Sequence, residues 1–202
     1  MSELFGKTVV YLITKGEATP ANFSAKKKEI LQIVRTAADA GIPLIQIREK
    51  RLTVRLLFEL VSEAARITAK TGTKLLVNDR ADIALAAKAD GVHLTVNSLS
   101  AVSIRSSFSE DFIIGVSTHS LEEAALAAKQ GADFVTFGPI FATPDKGEPK
   151  GLDELRGVCQ VLAPFPVIAL GGINETNCQS VLDSGARGFA AIRYLNELYA
   201  GK

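Results

Sequence analysis

The chain has 202 residues, enough to bury a large core in one domain and near the lower end of the size range of an eight-unit β/α barrel. With 47% hydrophobic and 22% charged residues it is not a disordered chain, and a net charge of +1 argues against a nucleic-acid surface. The first residues carry no signal-like apolar core and no run approaches the ~18 continuous apolar residues of a membrane span, so a cytoplasmic protein with no membrane partner is expected.

Along the chain, short apolar runs alternate with helical patterns. VVYLIT (9–14) is the first strand-like run. Beyond the solvated triplet Lys26-Lys27-Lys28, Ile30, Ile33, Val34, Ala37 and Ala38 share one helical face that stops at Gly41. LIQIRE (44–49) follows, then a second helix with Leu56, Leu57, Leu60, Val61, Ala64 and Ala65 inward. KLLVND (74–79), GVHLT (91–95) and IIGVST (113–118) continue the series. Ser120 then stands at an N-cap with Glu123 placed for a capping box, and Gly131 ends that helix. FVTFGP (134–139), PVIAL (166–170) and GFAAIR (188–193) complete eight strands, with a short last helix after Arg193. Cys159 and Cys178 fall inside helical patterns and read as buried reduced thiols.

Strands so apolar and β-branched suit a parallel sheet covered on both faces. Several helices close on an echoed ending, Ala89-Asp90-Gly91 and Gly131-Ala132-Asp133 among them, as repeated β/α units do. An open doubly wound sheet would carry a G-x-G-x-x-G turn after its first strand, and YLITKGEATP has none. The expectation is a single-domain (β/α)8 TIM barrel over residues 1–202.

Two glycine-bearing segments near the end, PVIALGGIN (166–174) and GARGFAAIR (185–193), fit the phosphate-binding turns that follow the last two strands of such barrels. A phosphorylated small molecule is therefore the expected ligand.

Polar residues at strand ends carry the chemistry. Gln46, Arg48 and Lys50 alternate to one side of the second strand, either to bind an anion or to pair with Glu49 or a carboxylate of the third strand. Asn78 and Asp79 end the third strand, where a carboxylate and an amide serve magnesium and ligand or cap a helix. The two histidines, His93 and His119, lie at or near the ends of strands four and five, with Ser117 beside the second. The long loop Gly138–Leu152 reads as a cover that brings Lys146 onto a bound anion.

In order, QIREK (46–50), NDRADIALAAKADGVHL (78–94), GVSTHSLEEA (115–124), GPIFATPDK (138–146) and PVIALGGI (166–173) resemble the thiamine phosphate synthase and thiazole tautomerase superfamily over nearly the whole chain. The resemblance implies a barrel that joins hydroxymethylpyrimidine diphosphate to thiazole phosphate with release of pyrophosphate. It implies that Gln46, Arg48, Lys50 and Asn78 hold the pyrimidine diphosphate, that Asp79 ligates magnesium, and that Ser117 and Lys146 steady the departing pyrophosphate. Thr143, Gly172 and the backbone at Ile192–Arg193 would receive the thiazole phosphate. A homodimer is expected on the same ground.

Three departures stand out. Ser98 occupies the place of the usual second acidic metal ligand, the loop after Lys146 is short, and Arg193 replaces a small residue. These lean toward the tautomerase branch, which uses a histidine at the His119 position and needs no metal. The cationic set Arg48, Lys50 and Lys146 favours the synthase. A non-catalytic sensor of a thiamine-related phosphate is the third reading.

Overall fold

The computed structural model describes residues 4–95, 97–144 and 146–201. Its strands are β1 (Val9–Ile13), β2 (Leu44–Ile47), β3 (Lys74–Asn78), β4 (Gly91–Leu94), β5 (Ile113–Thr118), β6 (Phe134–Phe137), β7 (Val167–Leu170) and β8 (Gly188–Ala191). Between and after them run α1 (Phe23–Asp39), α2 (Val54–Thr68), α3 (Ala81–Ala86), α4 (Ala101–Arg105), α5 (Leu121–Lys129), α6 (Gly151–Leu162), α7 (Cys178–Asp183) and α8 (Arg193–Tyr199). The strands follow one another in sequence order around a closed barrel, a (β/α)8 fold. Every position of β2, β4, β6 and β8 is buried, so both strand faces are covered, and that is why these runs are apolar without alternation. Both cysteines are free thiols, but only Cys159 is buried as expected; Cys178, at the start of α7, is partly exposed. Among the described residues no helix is long and apolar enough to cross a membrane.

Packing gathers the chain into two compact units, one of residues up to Val10 with His93–Ala191, the other of Tyr11–Val92 with the residues from Ile192 on. In the second unit β1, β2 and β3 pair in parallel, α1 packs beside α2, and Ile30, Ile33, Val34, Ala37 and Ala38 of α1 are buried. In the first unit β5 to β8 pair in parallel, and the Phe5 ring lies 5.7 Å from that of Phe134.

The echoed helix endings have a physical role in both units. Asp90 accepts from Leu75 N at 2.9 Å and from Lys74 Nζ at 2.8 Å. Asp133 accepts from Ile114 N at 2.7 Å and from Arg105 Nη2 at 2.8 Å. Each aspartate thus satisfies a backbone donor at the amino end of an earlier strand, a group that burial would otherwise leave costly.

Three expectations are corrected. First, β2 stops at Ile47, so only Gln46 of the Gln46/Arg48/Lys50 set projects from the strand, and the two cations lie in the turn beyond it. Second, the glycines of GARGFAAIR lie ahead of β8: Gly185 follows α7 and Gly188 opens the strand, leaving no glycine in the turn at Ile192–Arg193. Gly188 is required by packing, because a Cβ there would sit 1.9 Å from the Val9 carbonyl oxygen. Third, Ser120 accepts from Glu123 N at 3.2 Å, but Glu123 returns its carboxylate to His119 N, not to Ser120 N. The box is displaced by one residue and holds the His119 backbone.

Gly188→Ala must displace β1 backbone, an overpacking cost of about 1–3 kcal/mol. Thermal denaturation is expected to show a midpoint several degrees lower. Gly157→Ala, on an open face of α6, serves as the control and leaves the midpoint unchanged or raises it.

Candidate functional site

In the unit of β1 to β3, buried polar groups form a directed line. Tyr11 donates to Gln46 Oε1 at 3.2 Å, Gln46 Nε2 donates to Asn78 Oδ1 at 3.0 Å, and Asn78 Nδ2 donates to Asp79 Oδ2. Burial pushes the Tyr11 hydroxyl well above its usual range, so it remains a proton donor. Each amide donates one of its two N–H groups inside the line. Asp79 ends the line with backbone φ of 57°, and Lys50 Nζ lies 3.8 Å from its Oδ2. The carboxylate of the third strand is therefore the partner of Lys50.

Glu49 pairs with neither cation. It is 2% exposed and accepts from Gly16 N at 3.1 Å and Ala18 N at 2.8 Å. Arg48 is half-buried, with its own N–H on Thr14 Oγ1 at 2.8 Å. A small cavity of about 220 Å³ is lined by Glu49, Lys50, Asn78, Asp79 and Arg80. Ile192 is the N-cap of α8 and Arg193 its exposed first residue. The turn between them is held by Asn196, which donates to Ile13 O and Ile192 O at 2.7 Å each.

In the unit of β5 to β8, Ser117 Oγ lies 2.9 Å from His93 Nε2, and Thr136 Oγ1 lies 3.5 Å from both. His93 is buried with its ring 5.8 Å from that of Phe134. Gly115 makes room for it, since a Cβ at that position would meet His93 Nδ1 at 2.7 Å. His119 is exposed, and its Nδ1 lies 2.6 Å from the Gly138 carbonyl oxygen. A carbonyl only accepts, so Nδ1 carries a proton and Nε2 is the ring nitrogen left outside this bond.

The loop after β6 rides on the turn after β7. Ile140 N donates to Leu170 O and Phe141 N to Gly171 O, while Gly171 and Gly172 adopt φ of 104° and 66° beneath them. A Cβ on Gly172 would stand 2.7 Å from Phe141 Cβ, so glycine is needed for this close approach. Lys150 N on Pro139 O and Gly151 N on Ile140 O close the loop base. Thr143 donates to Phe141 O at 3.0 Å, and Lys146 is exposed with no ion-pair partner among the described residues. Asp145 of this loop, and Val96 beside the turn of Ser98, lie outside the described residues. Ser98 Oγ accepts from Thr95 N at 2.7 Å, so this hydroxyl closes a turn where an acidic ligand was expected. Among the described residues no three His, Cys, Asp or Glu side chains cluster as a metal site.

The family model for thiamine monophosphate synthase matches residues 10–195, a span that includes every candidate residue above. The chain belongs to this family. It is 44% identical over 186 residues to a Geobacter sulfurreducens protein provisionally named a thiamine-phosphate synthase, covering 91% of this chain and 84% of that one. It is 43% identical over 168 residues to the thiamine-phosphate synthase of Methanosarcina barkeri, covering 82% and 76%. The solved thiamine phosphate pyrophosphorylase of Pyrococcus furiosus superposes with a TM-score of 0.81 at 32% identity, over 98% of this chain and 94% of that one.

Tyr11, Thr14 and Thr136 carry no signal in the sequence, because each is one more residue of an apolar strand run or its edge until the neighbouring strand supplies a partner. In sequence Glu49 offers itself as an ion-pair partner or a metal ligand, and the fold gives its carboxylate two backbone amides instead. Asn78→Ala would leave the buried Gln46 amide short of its acceptor, costing about 1–3 kcal/mol. The expected drop in thermal midpoint is roughly 3–10 °C for a chain of this size, read by circular dichroism.

Proposed function

We propose that this protein is a thiamine phosphate synthase, a transferase that joins hydroxymethylpyrimidine diphosphate to thiazole phosphate. The single observation that carries the reading is the family match over residues 10–195 with the cationic and amide residues in place at the ends of β2 and β3. In the proposed reaction the bond between the pyrimidine methylene and the diphosphate oxygen breaks, and its electron pair leaves with pyrophosphate. The thiazole nitrogen then donates its lone pair to the methylene cation, forming the carbon–nitrogen bond and a positively charged thiazolium.

Gln46 and Asn78, held by the Tyr11 line, offer their remaining N–H groups to the pyrimidine diphosphate as donors that need no rearrangement. Arg48 and Lys50 receive the charge that grows on the leaving diphosphate, with the guanidinium suited to a bidentate grip on phosphate. Ser117 donates to pyrophosphate most readily when its lone pairs are filled from behind by His93 Nε2–H and the Thr136 hydroxyl. Lys146, on its loop, adds a cation whose charge is not committed elsewhere. Thr143, Gly172 and the Ile192–Arg193 backbone take the thiazole phosphate, and Arg193 adds a guanidinium to that phosphate.

Magnesium fits as an ion shared with substrate. Asp79 is the acid that would hold it, with phosphate oxygens and water as further oxygen ligands, since Ser98 accepts from Thr95 N. Bound there, magnesium would neutralise charge on the leaving diphosphate. The same reading makes the protein a cytoplasmic single-domain enzyme acting on phosphorylated small molecules, and a homodimer by resemblance to its family.

Purified protein with magnesium and both substrates is expected to release pyrophosphate and form thiamine phosphate. Arg48→Ala and Lys146→Ala should each lower kcat by about 10²–10³. A chain that releases no pyrophosphate beside an active relative would overturn the proposal.

The orientation of His119 favours one further activity to test. With Nδ1–H on Gly138 O, its Nε2 is set up for proton transfer, as isomerisation of a thiazole phosphate carboxylate requires. Under that second reading His119→Ala abolishes isomerisation; under the first it leaves pyrophosphate release within about threefold of the parent protein, well inside the loss assigned to a proton-transfer group.

A further inference from the structure

We infer that Glu49 is a positioning residue that sets the Arg48 guanidinium by clamping the β1–α1 loop against it, without touching Arg48 itself. The inference rests on the proposal that Arg48 grips the diphosphate.

The carboxylate is almost fully buried and sits between two cations in the chain, yet no side-chain cation lies within ion-pair distance of it among the described residues. Both its oxygens go to backbone amides of the opposite loop, Gly16 N and Ala18 N. Thr14 N on Gln46 O at 3.0 Å, Arg48 N on Thr14 Oγ1 at 2.8 Å and the two Glu49 bonds make four successive rungs between residues 14–18 and 46–49. The first is a backbone rung one residue past the end of β1; side chains build the others.

The loop so held meets Arg48 directly. Gly16 has φ of 81°, and a Cβ built on it would lie 3.1 Å from both Arg48 Nη1 and Arg48 O. The loop backbone is thus a wall against which the guanidinium rests, and only glycine lets it come this close. Arg51 reinforces the same loop through weak contacts to Gly16 O and Glu17 O. A carboxylate spent on Arg48 would have cancelled the cation that a diphosphate needs. One spent on backbone amides fixes the geometry and leaves the cation's charge available.

A merely structural carboxylate would weaken both substrates together when removed. A positioning carboxylate weakens the diphosphate selectively. Glu49→Gln keeps the side-chain volume but presents an NH2 to one of the two amides, so one rung is lost. The expected result is at least a tenfold loss of inorganic pyrophosphate affinity by calorimetry and a matching rise in KM for the pyrimidine diphosphate, with KM for the thiazole phosphate unchanged within twofold. Amide hydrogen exchange at Gly16 and Ala18 should rise. Gly16→Ala perturbs the same wall from the loop side without altering Glu49, and it should reproduce the selective loss should Glu49→Gln fold poorly.

Arg48→Ala is the control that separates the two claims. If it loses pyrophosphate while Glu49→Gln and Gly16→Ala bind within twofold of the parent protein, the clamp is refuted and the diphosphate site stands. Equal losses for both substrates in the folded variants also refute the clamp. If the parent protein binds no pyrophosphate, or Arg48→Ala binds it unchanged, the site reading falls and the clamp falls with it.

Discussion

Hydrogen bonding inside a dry strand interior governs how this protein carries its polar residues. Gln46 is 1% exposed, deep enough that an unpaired amide would cost several kcal/mol, and it is tolerated because Tyr11 feeds one end and Asn78 takes the other. The line has one direction, since the phenol, kept protonated by burial, donates to Gln46 and an ionised carboxylate can only accept at the far end. Its consequence is that Asp79 is oriented, Lys50 is drawn toward it, and the leftover N–H groups of two amides are fixed in place. The polar residues of β2 and β3 act as one set for that reason.

A second constraint operates where strands end. Parallel strands exhaust their ladder before the chain turns into a helix, and the freed backbone groups need other partners. At β1 and β2 these are the Thr14 hydroxyl and the Glu49 carboxylate. At β6 and β7 they remain backbone, with residues 140 and 141 laid across Leu170 and Gly171. At the amino ends Asp90 and Asp133 do the corresponding work. Loops anchored at their roots in this way place Arg48, Thr143 and Lys146 at defined positions although none of them lies on a strand.

The departures from the family pattern have local explanations of unequal depth. Ser98 is absorbed into a turn with Thr95, and of the two acidic positions of the family pattern only Asp79 carries a carboxylate here. Arg193 stands exposed at the start of α8 on a backbone that Asn196 pins to the end of β1. For the shortened stretch after Lys146 the structure gives a closed base at Lys150 and Gly151 and no further account.

Periodicity and composition were enough for the architecture. Eight largely buried strands leave an apolar signature at each turn of the chain, and seven of the eight strands begin at the residue where the apolar run begins, β7 one residue later. The resemblance of QIREK, NDRAD, STHS and the GPIFATPDK loop was likewise readable in one dimension, since family motifs are runs of neighbours. Strand ends were not, because a strand stops where its partner stops, and Arg48 and Lys50 therefore fell outside a strand that their alternation had seemed to extend. Nor could sequence say whom Glu49 serves: its partners lie 33 and 31 residues away, and a carboxylate flanked by cations reads as an ion pair until the fold brings two backbone amides closer. Tertiary structure decided every pairing that burial made obligatory, because the cost of an unsatisfied polar group depends on its surroundings and not on its neighbours in the chain.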